Sequence, residues 1–449
     1  MKMLLRLAIA CAVIVVLMQL VRPKIPAAPA TAEIEAPPQV RQILDRSCYS
    51  CHSNERRLSW FDQIEPGYWL VRKDILTARE HLNFSTIGSK PAAAQKAALY
   101  ESVNMIQLGA MPLPRFLALH PGARVAPEAL TTIKEYLAPW GTLPSEAENA
   151  ESTAAPVSLA AVQPEPDGFP FDSTFEGWKP LSFTDRGDNN TFRFVLGNEI
   201  AIAAARSGNI SPWPDGARFA KIAWSQQPGP DGLVYPGSFV QVELMAKDAV
   251  RYKNTDGWGW GRWRGLELKP YGKDARFVEE CTTCHMPVRG NDSVYTLPIT
   301  SARVRGEEVV NNAAAALPAS LPYQPLAWSA ITMYVDRNAR TVVVLYGNAK
   351  AMEAVHPRGS NPDEAGGPAY PAGSVLALVT WGQRDDPHWF GARIPDAPRS
   401  VEFVQVAGQE SDDHYQRYAG EKLAEDLSAA NMAAQRMHFM LTLKPARMP

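Results

Sequence analysis

Cysteine is scarce in this chain, with five in 449 residues. Cys11 lies in the N-terminal apolar stretch, and the other four fall in two short motifs. No disulfide framework can be built from that set. An excess of charge is lacking too: 45 Lys and Arg stand against 47 Asp and Glu, a formal net of −2. That excludes the basic footprint expected of a nucleic-acid partner. Histidine is sparse, and His356, His388, His414 and His438 show no ligand spacing, so they are read as ordinary.

What is present is C-x-x-C-H, twice: Cys48-Tyr49-Ser50-Cys51-His52 and Cys281-Thr282-Thr283-Cys284-His285. This is the attachment pattern of a c-type haem, in which two thiols bond the porphyrin and the adjacent His reaches the iron. A zinc reading needs further ligands, and no other Cys lies outside the first 20 residues. The expectation is two covalently attached c-type haems held by Cys48, Cys51, Cys281 and Cys284, with His52 and His285 on iron. Such haems are attached outside the bacterial inner membrane, so the chain is expected to be exported. Lys2 and Arg6 flank an apolar run over 7–21, followed by Arg22 and Lys24. The run fits a signal-peptide core and falls short of the roughly 20 residues of a spanning helix, although Met3 to Leu5 extend it. A cut after Ala32 lies far from it. The reading leans to an uncleaved anchor over 1–22, facing the periplasm.

The length allows about three domains at roughly 150 residues each. Pro/Ala-rich residues 23–38 read as a tether and 139–167 as a linker. Between them, 39–138 has helical patterning: Val40, Ile43 and Leu44 lead into the first motif, and 64–82 and 126–137 follow. Beyond 168 the runs become strand-like, at 191–196, 218–224, 239–245 and 263–269. The fold class expected is multidomain: a mainly α-helical c-type cytochrome domain (39–138), then two α+β antiparallel-sheet domains (168–300 and 320–449) joined by a linker (301–319).

The two sheet domains are read from an internal repeat. Leu196-Gly197-Asn198 returns as Tyr346-Gly347-Asn348. Pro214-Asp215-Gly216, followed after seven residues by Trp224, returns as Pro371-Ala372-Gly373 and Trp381. Phe239 to Val242 returns identically at Phe403 to Val406, and Leu266 to Pro270 as Leu441 to Pro445. The second copy has no haem motif, so each matched position shows what the fold alone accepts. Lys221 stands where the haem-free copy has Leu378, on a face shared with Ala217, Phe219 and Ala223. A strand Lys is ordinarily solvated, but these neighbours argue for an inward position. Glu243 is matched to Ala407. An amine and a carboxylate confined to the haem-bearing copy are candidates for chemistry.

Residues 168–300 resemble the cytochrome P-460 family, which includes the cytochromes c′-beta. The resemblance rests on PWPDGARFAK at 212–221, FVQVELMAKD at 239–248 and ECTTCH at 280–285, followed by Val294-Tyr295-Thr296. It implies a small antiparallel sheet with helices, usually a homodimer, and a haem with an open distal side. It aligns Lys221 with a Lys bonded to the haem ring, and Glu243 with a distal proton-transfer carboxylate. The loop from Gln226 to Pro236 has no match, and Met245 faces with Glu243 as a rival iron ligand.

Residues 39–138 resemble a haem-binding domain of exported bacterial cytochromes, through RSCYSCHSNE at 47–56, AREHLNFS at 78–85 and GAMPLPRFLALHP at 109–121. Met111-Pro112 looks like the Met-Pro that supplies a sixth ligand. A Met opposite a His closes the iron for electron transfer. Core filling by Met111, and His81 or His120 as ligand, are the rival readings. Residues 320–449 resemble the P-460 fold only through the repeat, and an internal pseudo-dimer with one live site follows if the second copy stands in for a partner subunit.

The function these readings imply is a periplasmic dihaem cytochrome that oxidises a small nitrogen compound such as hydroxylamine. Glu243, with a raised pKa, takes up protons, and electrons leave through the His52/Met111 haem to a soluble periplasmic cytochrome. The alternatives are a cytochrome binding nitric oxide or another gas, and a pure electron-transfer dihaem cytochrome.

Overall fold

The computed structural model describes residues 2–55, 57–138, 158–302, 304, 310–355, 368–408 and 413–448. The side chain of Cys11, His356 and most of the expected linker at 139–167 lie outside the described residues. The chain divides into two compact units, 1–141 and 142–449.

Unit one is helical. It comprises α1 (Lys2–Met18), α2 (Pro38–Ser47), α3 (Tyr49–His52), α4 (Gly67–His81), α5 (Ala92–Gln107), α6 (Pro114–Leu119) and α7 (Pro127–Leu137). Three of these match the sequence patterns. The Ala-rich start of α5 gives no readable apolar stripe, and that helix was not anticipated. Proline opens α2, α6 and α7 at a position where its missing N–H costs nothing. The core holds Val40, Leu44, Tyr49, Ile75, Phe84, Leu99, Val103 and Ile133.

Residues 23–38 differ from the expected tether. The Tyr68 hydroxyl donates to Pro23 O at 2.8 Å, Asn54 Nδ2 to Pro29 O at 2.8 Å, and Ile34 N to Phe84 O at 3.0 Å. Ile34 is buried. Proline and alanine keep this backbone extended, and extended backbone leaves its carbonyls open to neighbouring donors. No helix among the described residues is by itself long and apolar enough to cross a membrane.

Unit two is built on one antiparallel sheet. Its elements are β1 (Lys179–Arg186), β2 (Thr191–Gly197), α8 (Glu199–Ser207), β3 (Arg218–Pro228), β4 (Val234–Lys247), β5 (Trp258–Arg264), β6 (Lys269–Pro270), α9 (Val278–His285), β7 (Ser329–Asp336), β8 (Thr341–Gly347), α10 (Ala349–Val355), β9 (Val375–Asp385), β10 (Ala392–Gln405), β11 (His414–Ala419), β12 (Ala424–Glu425) and α11 (Ala433–Thr442). The order β1-β2-β3-β4-β7-β8-β9-β10, with β10 pairing back to β1, closes a barrel. The element sequence of the first half recurs in the second, with α11 standing where α9 stands. The two copies thus form one compact unit with a shared core.

The two halves meet at two seams of the same register. Asp185 pairs Arg393 at one, and Val335 pairs Val234 at the other. A barrel abolishes the open edges that each half-sheet would otherwise expose. Trp224 and Trp381, the repeat's matched pair, are both buried in the barrel core. Asn198 caps α8 by accepting from Ala201 N at 3.0 Å, and Asn348 does the same for α10 from Ala351 N at 2.9 Å. This cap chemistry explains why the Gly-Asn pair recurs.

Register corrects two sequence matches. Residues 265–268 are a turn, not strand, so the expected strand at 263–269 ends at Arg264. The turn has positive φ at Gly265 and Leu268, and Gly420 and Leu423 repeat those two values closely (65° and 48° against 78° and 46°). The structural twin of Leu266–Pro270 is therefore the turn at 420–425. Leu441–Pro445, matched by letters, begins at the end of α11.

Candidate haem sites

In unit one the first motif straddles the break between α2 and α3. The Nδ1 edge of His52 meets Leu82 O at 3.0 Å, which leaves Nε2 for a metal. Phe84 stacks on Tyr49 at 5.6 Å, and its N–H donates to His52 O at 2.8 Å. Burial pushes the Cys48 thiol up to about 12 and the Cys51 thiol to about 11.

Met111 lines a cavity of about 300 Å³ with Ile106, Pro112, Leu117 and Val125. The rival His120 is engaged at both ring nitrogens, by Asp62 Oδ2 at 3.0 Å and Phe116 O at 3.2 Å, and stacks on Phe116. His81 is exposed at the end of α4.

In unit two, α9 presents the second motif against the outer face of β5. The His285 Nδ1 edge meets Ser293 O at 2.7 Å, the same arrangement as His52. Ser293 and Asp292 carry positive φ (62° and 48°), and this tight bend returns the carbonyl to the ring. Trp260 lies 4.4 Å from the His285 ring and Tyr295 lies 5.1 Å from it. The Tyr295 hydroxyl donates to Cys284 O at 2.7 Å. Burial drives His285 down to about 4, the neutral state a metal ligand needs, and lifts the Cys281 thiol to about 12.

Lys221 and Glu243 are cross-strand partners, and Arg262 is the partner of Glu243 on the next strand. The Lys221 ammonium is ion-paired to Glu243, and Arg262 Nε lies 3.4 Å from the same carboxylate. Both Lys221 and Glu243 are partly buried, with side chains 28% and 17% exposed. Their face points outward from the barrel core, so the expected inward placement is corrected. Ala220, Ile222 and Trp224 fill the barrel, while Phe219 and Met245 join Trp213, Trp260 and Cys281 in a second apolar cluster. Lys221 is covered from outside the barrel wall.

Burial pulls Lys221 down to about 8, against the opposing pull of Glu243. Burial alone raises the Glu243 carboxyl, but Lys221, Arg262 and Arg193 outweigh it and hold the group well below the usual carboxylate range. The raised pKa expected of Glu243 is therefore reversed in this state.

The twin of Glu243 is Glu402, not Ala407. Lys221 pairs Glu243, and Leu378 pairs Glu402 at the same step of the ladder. The identical Phe-Val-Gln-Val tetrapeptides are thus out of register by five residues, an odd slip that exchanges faces. Irregularities after Trp224 in one half and between Pro395 and Ser400 in the other absorb the difference. Only the amine is confined to the haem-bearing half.

Counting from the matched turns, Arg436, Phe439 and Met440 on α11 stand where α9 has Cys281, Cys284 and His285. Arg436 donates twice to Glu402, at 2.7 and 2.8 Å, and the Tyr415 hydroxyl donates to it at 2.6 Å. Glu402 is buried, and this ion pair fills the second half's site.

The unmatched loop around 229–235 has a structural reason. It reaches across to the other half, where Tyr235 packs on Tyr334 at 5.7 Å and joins the cluster of Phe439 and Met440. The corresponding loop of the second half crosses the opposite way. Trp389 packs on Tyr295 at 5.5 Å and donates Nε1–H to Asp188 at 3.1 Å; the His388 Nδ1 edge meets Tyr295 O at 2.9 Å. Each half thus covers the other's site. His388, read as ordinary, and Trp389 were not anticipated there, because nothing local to them marks it.

The residues suit covalently held haem. The four motif cysteines are outside disulfides, and each motif His is oriented by a carbonyl. Trp213 Nε1, Trp260 Nε1 and Arg193 Nε are buried donors without partners at the second motif. These features define a haem cytochrome. In particular, residues 12–139 match the model of a haem-binding domain, and residues 173–296 match that of cytochrome P460, so the chain carries the first followed by the second. No match was found among curated proteins.

Proposed function

We propose that this is an exported dihaem c-type cytochrome whose P460 domain oxidises a small nitrogen compound of the hydroxylamine class. The observation that carries the reading is the Lys221–Glu243 pair, set beside α9 by register, where the haem-free half keeps the carboxylate but replaces the amine with Leu378. Cys281 and Cys284 would hold the second haem and His285 would ligate its iron; Cys48, Cys51, His52 and Met111 would serve the first. Iron at the second site supplies an electron acceptor and a coordination position for the substrate nitrogen.

Lys221 and Glu243 manage protons there. Lowered to about 8, Lys221 gives up its proton more readily than an ordinary lysine, and the neutral amine is the form that can bond to a porphyrin edge. Once its amine is neutral or consumed, Glu243 loses its nearest counter-charge and its proton affinity rises. Loss of the amine thus makes the carboxylate a better proton acceptor. Arg262 and Arg193 keep it in place. The first haem would supply an exit for electrons to a soluble periplasmic cytochrome, and the second half of the barrel would complete the site as an internal pseudo-partner.

Mass spectrometry of haem peptides from protein matured in a host that attaches c-type haem tests this reading. A haem carrying both the Cys281–His285 and Lys221 peptides, with hydroxylamine turnover on an artificial acceptor, is the expected result. Haem on the first peptide alone, without turnover, moves the assignment to a gas-binding cytochrome.

A further inference from the structure

We infer that the haem-binding unit lies on the bilayer itself, with Trp60, Ile64, Trp69 and Leu70 set into the lipid interface around the exit of α1. The inference rests on α1 being the membrane anchor and goes beyond it, because an anchor alone leaves its cargo free to swing.

The first observation is that the described side chains of α1 have no protein partner over most of their surface. Met3, Leu7, Val13, Ile14 and Leu17 are each at least 51% exposed. Backbone bonds from Leu20 N to Leu17 O and from Val21 N to Met18 O carry the coil past Met18 with Leu20 and Val21, themselves 79% and 64% exposed. The stretch from Met3 to Val21, apolar apart from Arg6 and Gln19, thereby approaches the roughly 20 residues that cross a bilayer.

The second observation is independent of the first: the exit of this coil is clamped. Gln19 donates to Glu65 O at 3.2 Å and accepts from Glu65 N at 3.0 Å. Arg22 donates to Gln63 at 3.1 Å and lies over the Tyr68 ring at 4.6 Å, and Trp69 Nε1–H donates to Val21 O at 3.0 Å. These contacts fix the segment 60–70 beside the end of α1.

Among the described residues of unit one beyond α1 and its exit, that segment and Leu119 carry the exposed large apolar side chains. Trp60 is 75% exposed, Leu70 49%, Ile64 44% and Trp69 38%. Arg22, Lys24 and Arg72 edge the patch, and Arg72 donates to Lys24 O at 3.1 Å. Tryptophan beside aliphatic groups with a basic margin is the composition of a lipid headgroup boundary. An apolar helix leading directly into such a patch sets its depth: where α1 leaves the hydrocarbon, the patch enters the interface.

Spin labels in the full dihaem chain, reconstituted in nanodiscs of phosphatidylethanolamine and phosphatidylglycerol, test this. On a Cys11→Ser background, labels are placed by Ile64→Cys and Leu70→Cys, with Ile14→Cys reporting the anchor and exposed Glu128→Cys reporting the solvent face. Collision with oxygen, which concentrates in lipid, is compared with collision with a water-soluble nickel chelate. Labels at 64 and 70 are expected between the two controls, with nickel access reduced several-fold relative to 128. Labels at 64 and 70 that match 128 while 14 is lipid-buried overturn the docking and leave the anchor standing. A label at 14 that matches 128 overturns the anchor reading and the docking with it.

Discussion

The two halves of the barrel share strand order, seams, caps and register, and they differ where one bears a haem motif. In the first half, α9 brings Cys281, Cys284 and His285, and the wall beneath offers Lys221, Glu243 and Arg262. In the second, Arg436 from α11 closes on Glu402, and Leu378 replaces the amine. One half keeps its carboxylate among cations drawn from the strands, beside the helix that carries the C-x-x-C-H motif. The other satisfies the same carboxylate with one helix cation and uses it as structure. A buried carboxylate at this step of the ladder therefore belongs to the fold, while the lysine is confined to the half with the C-x-x-C-H motif, where our proposal gives it a chemical role.

The sharpest way to break that comparison is to remove one helix's contribution at a time. Cys281→Ser with Cys284→Ser is expected to leave one attached haem by mass spectrometry and to abolish hydroxylamine turnover. Arg436→Ala is expected to leave both haems attached but to strip Glu402 of its ion pair. Removing one partner of such a pair costs about 3 kcal/mol, with Tyr415 left to soften it, and the loss reads as a lower Tm. If the Arg436 variant lost a haem while keeping its Tm, the second half would be no mere structural copy.

Next in size is the twin exchange. Lys221→Leu installs the residue the second half already tolerates, and Glu243 keeps Arg262 and Arg193. A stability change under about 1 kcal/mol is expected, together with loss of the Lys221–haem peptide and of turnover. Equal destabilisation by Lys221→Leu and Arg436→Ala would show that the lysine is structural after all.

What could be read from the sequence follows the same divide. The two haem motifs were legible because their chemistry is local: five adjacent residues contain both thiols and the ligand. The recurring Gly-Asn pair and the Trp were legible because a helix cap and a core tryptophan are demanded at fixed places. The twin of Glu243 was not, since strand register is set by hydrogen bonding across a ladder with irregularities, and four identical residues carry no information about it. Barrel closure was not legible either. The seams Asp185–Arg393 and Val234–Val335 join residues far apart in the chain, and no periodicity announces them. The crossed loops escaped notice for the same reason, as did the packing of residues 23–38.

Acid titration sharpens the electrostatic side. Glu243 is held well below its ordinary 4.5, so the unfolded chain binds more protons than the folded one as pH falls past that value. Stability from this group is complete above about 4.5 and drains away below it. Glu243→Gln is expected to flatten that acid limb of a Tm-against-pH curve. Lys221, lowered to about 8 from 10.5, works at the other end: between those values the unfolded chain again holds more protons, so stability rises with pH. Formation of the Lys221–haem bond, which needs the neutral amine, is expected to speed up through pH 8, and Lys221→Leu to remove the alkaline rise in stability of the haem-free chain.

The smallest expected effect concerns the crossed loops, and it separates covering a site from building one. Trp389 and Tyr235 are each given by one half to the other, but only Trp389 lies over a haem motif. Trp389→Ala and Tyr235→Ala should each cost about 1 kcal/mol, since each removes a half-buried aromatic from an apolar contact. Carbon monoxide binding to the reduced protein then distinguishes them. Opening the wall behind Tyr295 is expected to change the association rate several-fold in Trp389→Ala, while Tyr235→Ala leaves it as in the parent. Equal rates in all three proteins would reduce the second half to a scaffold that closes the barrel, with no share in the haem site it covers.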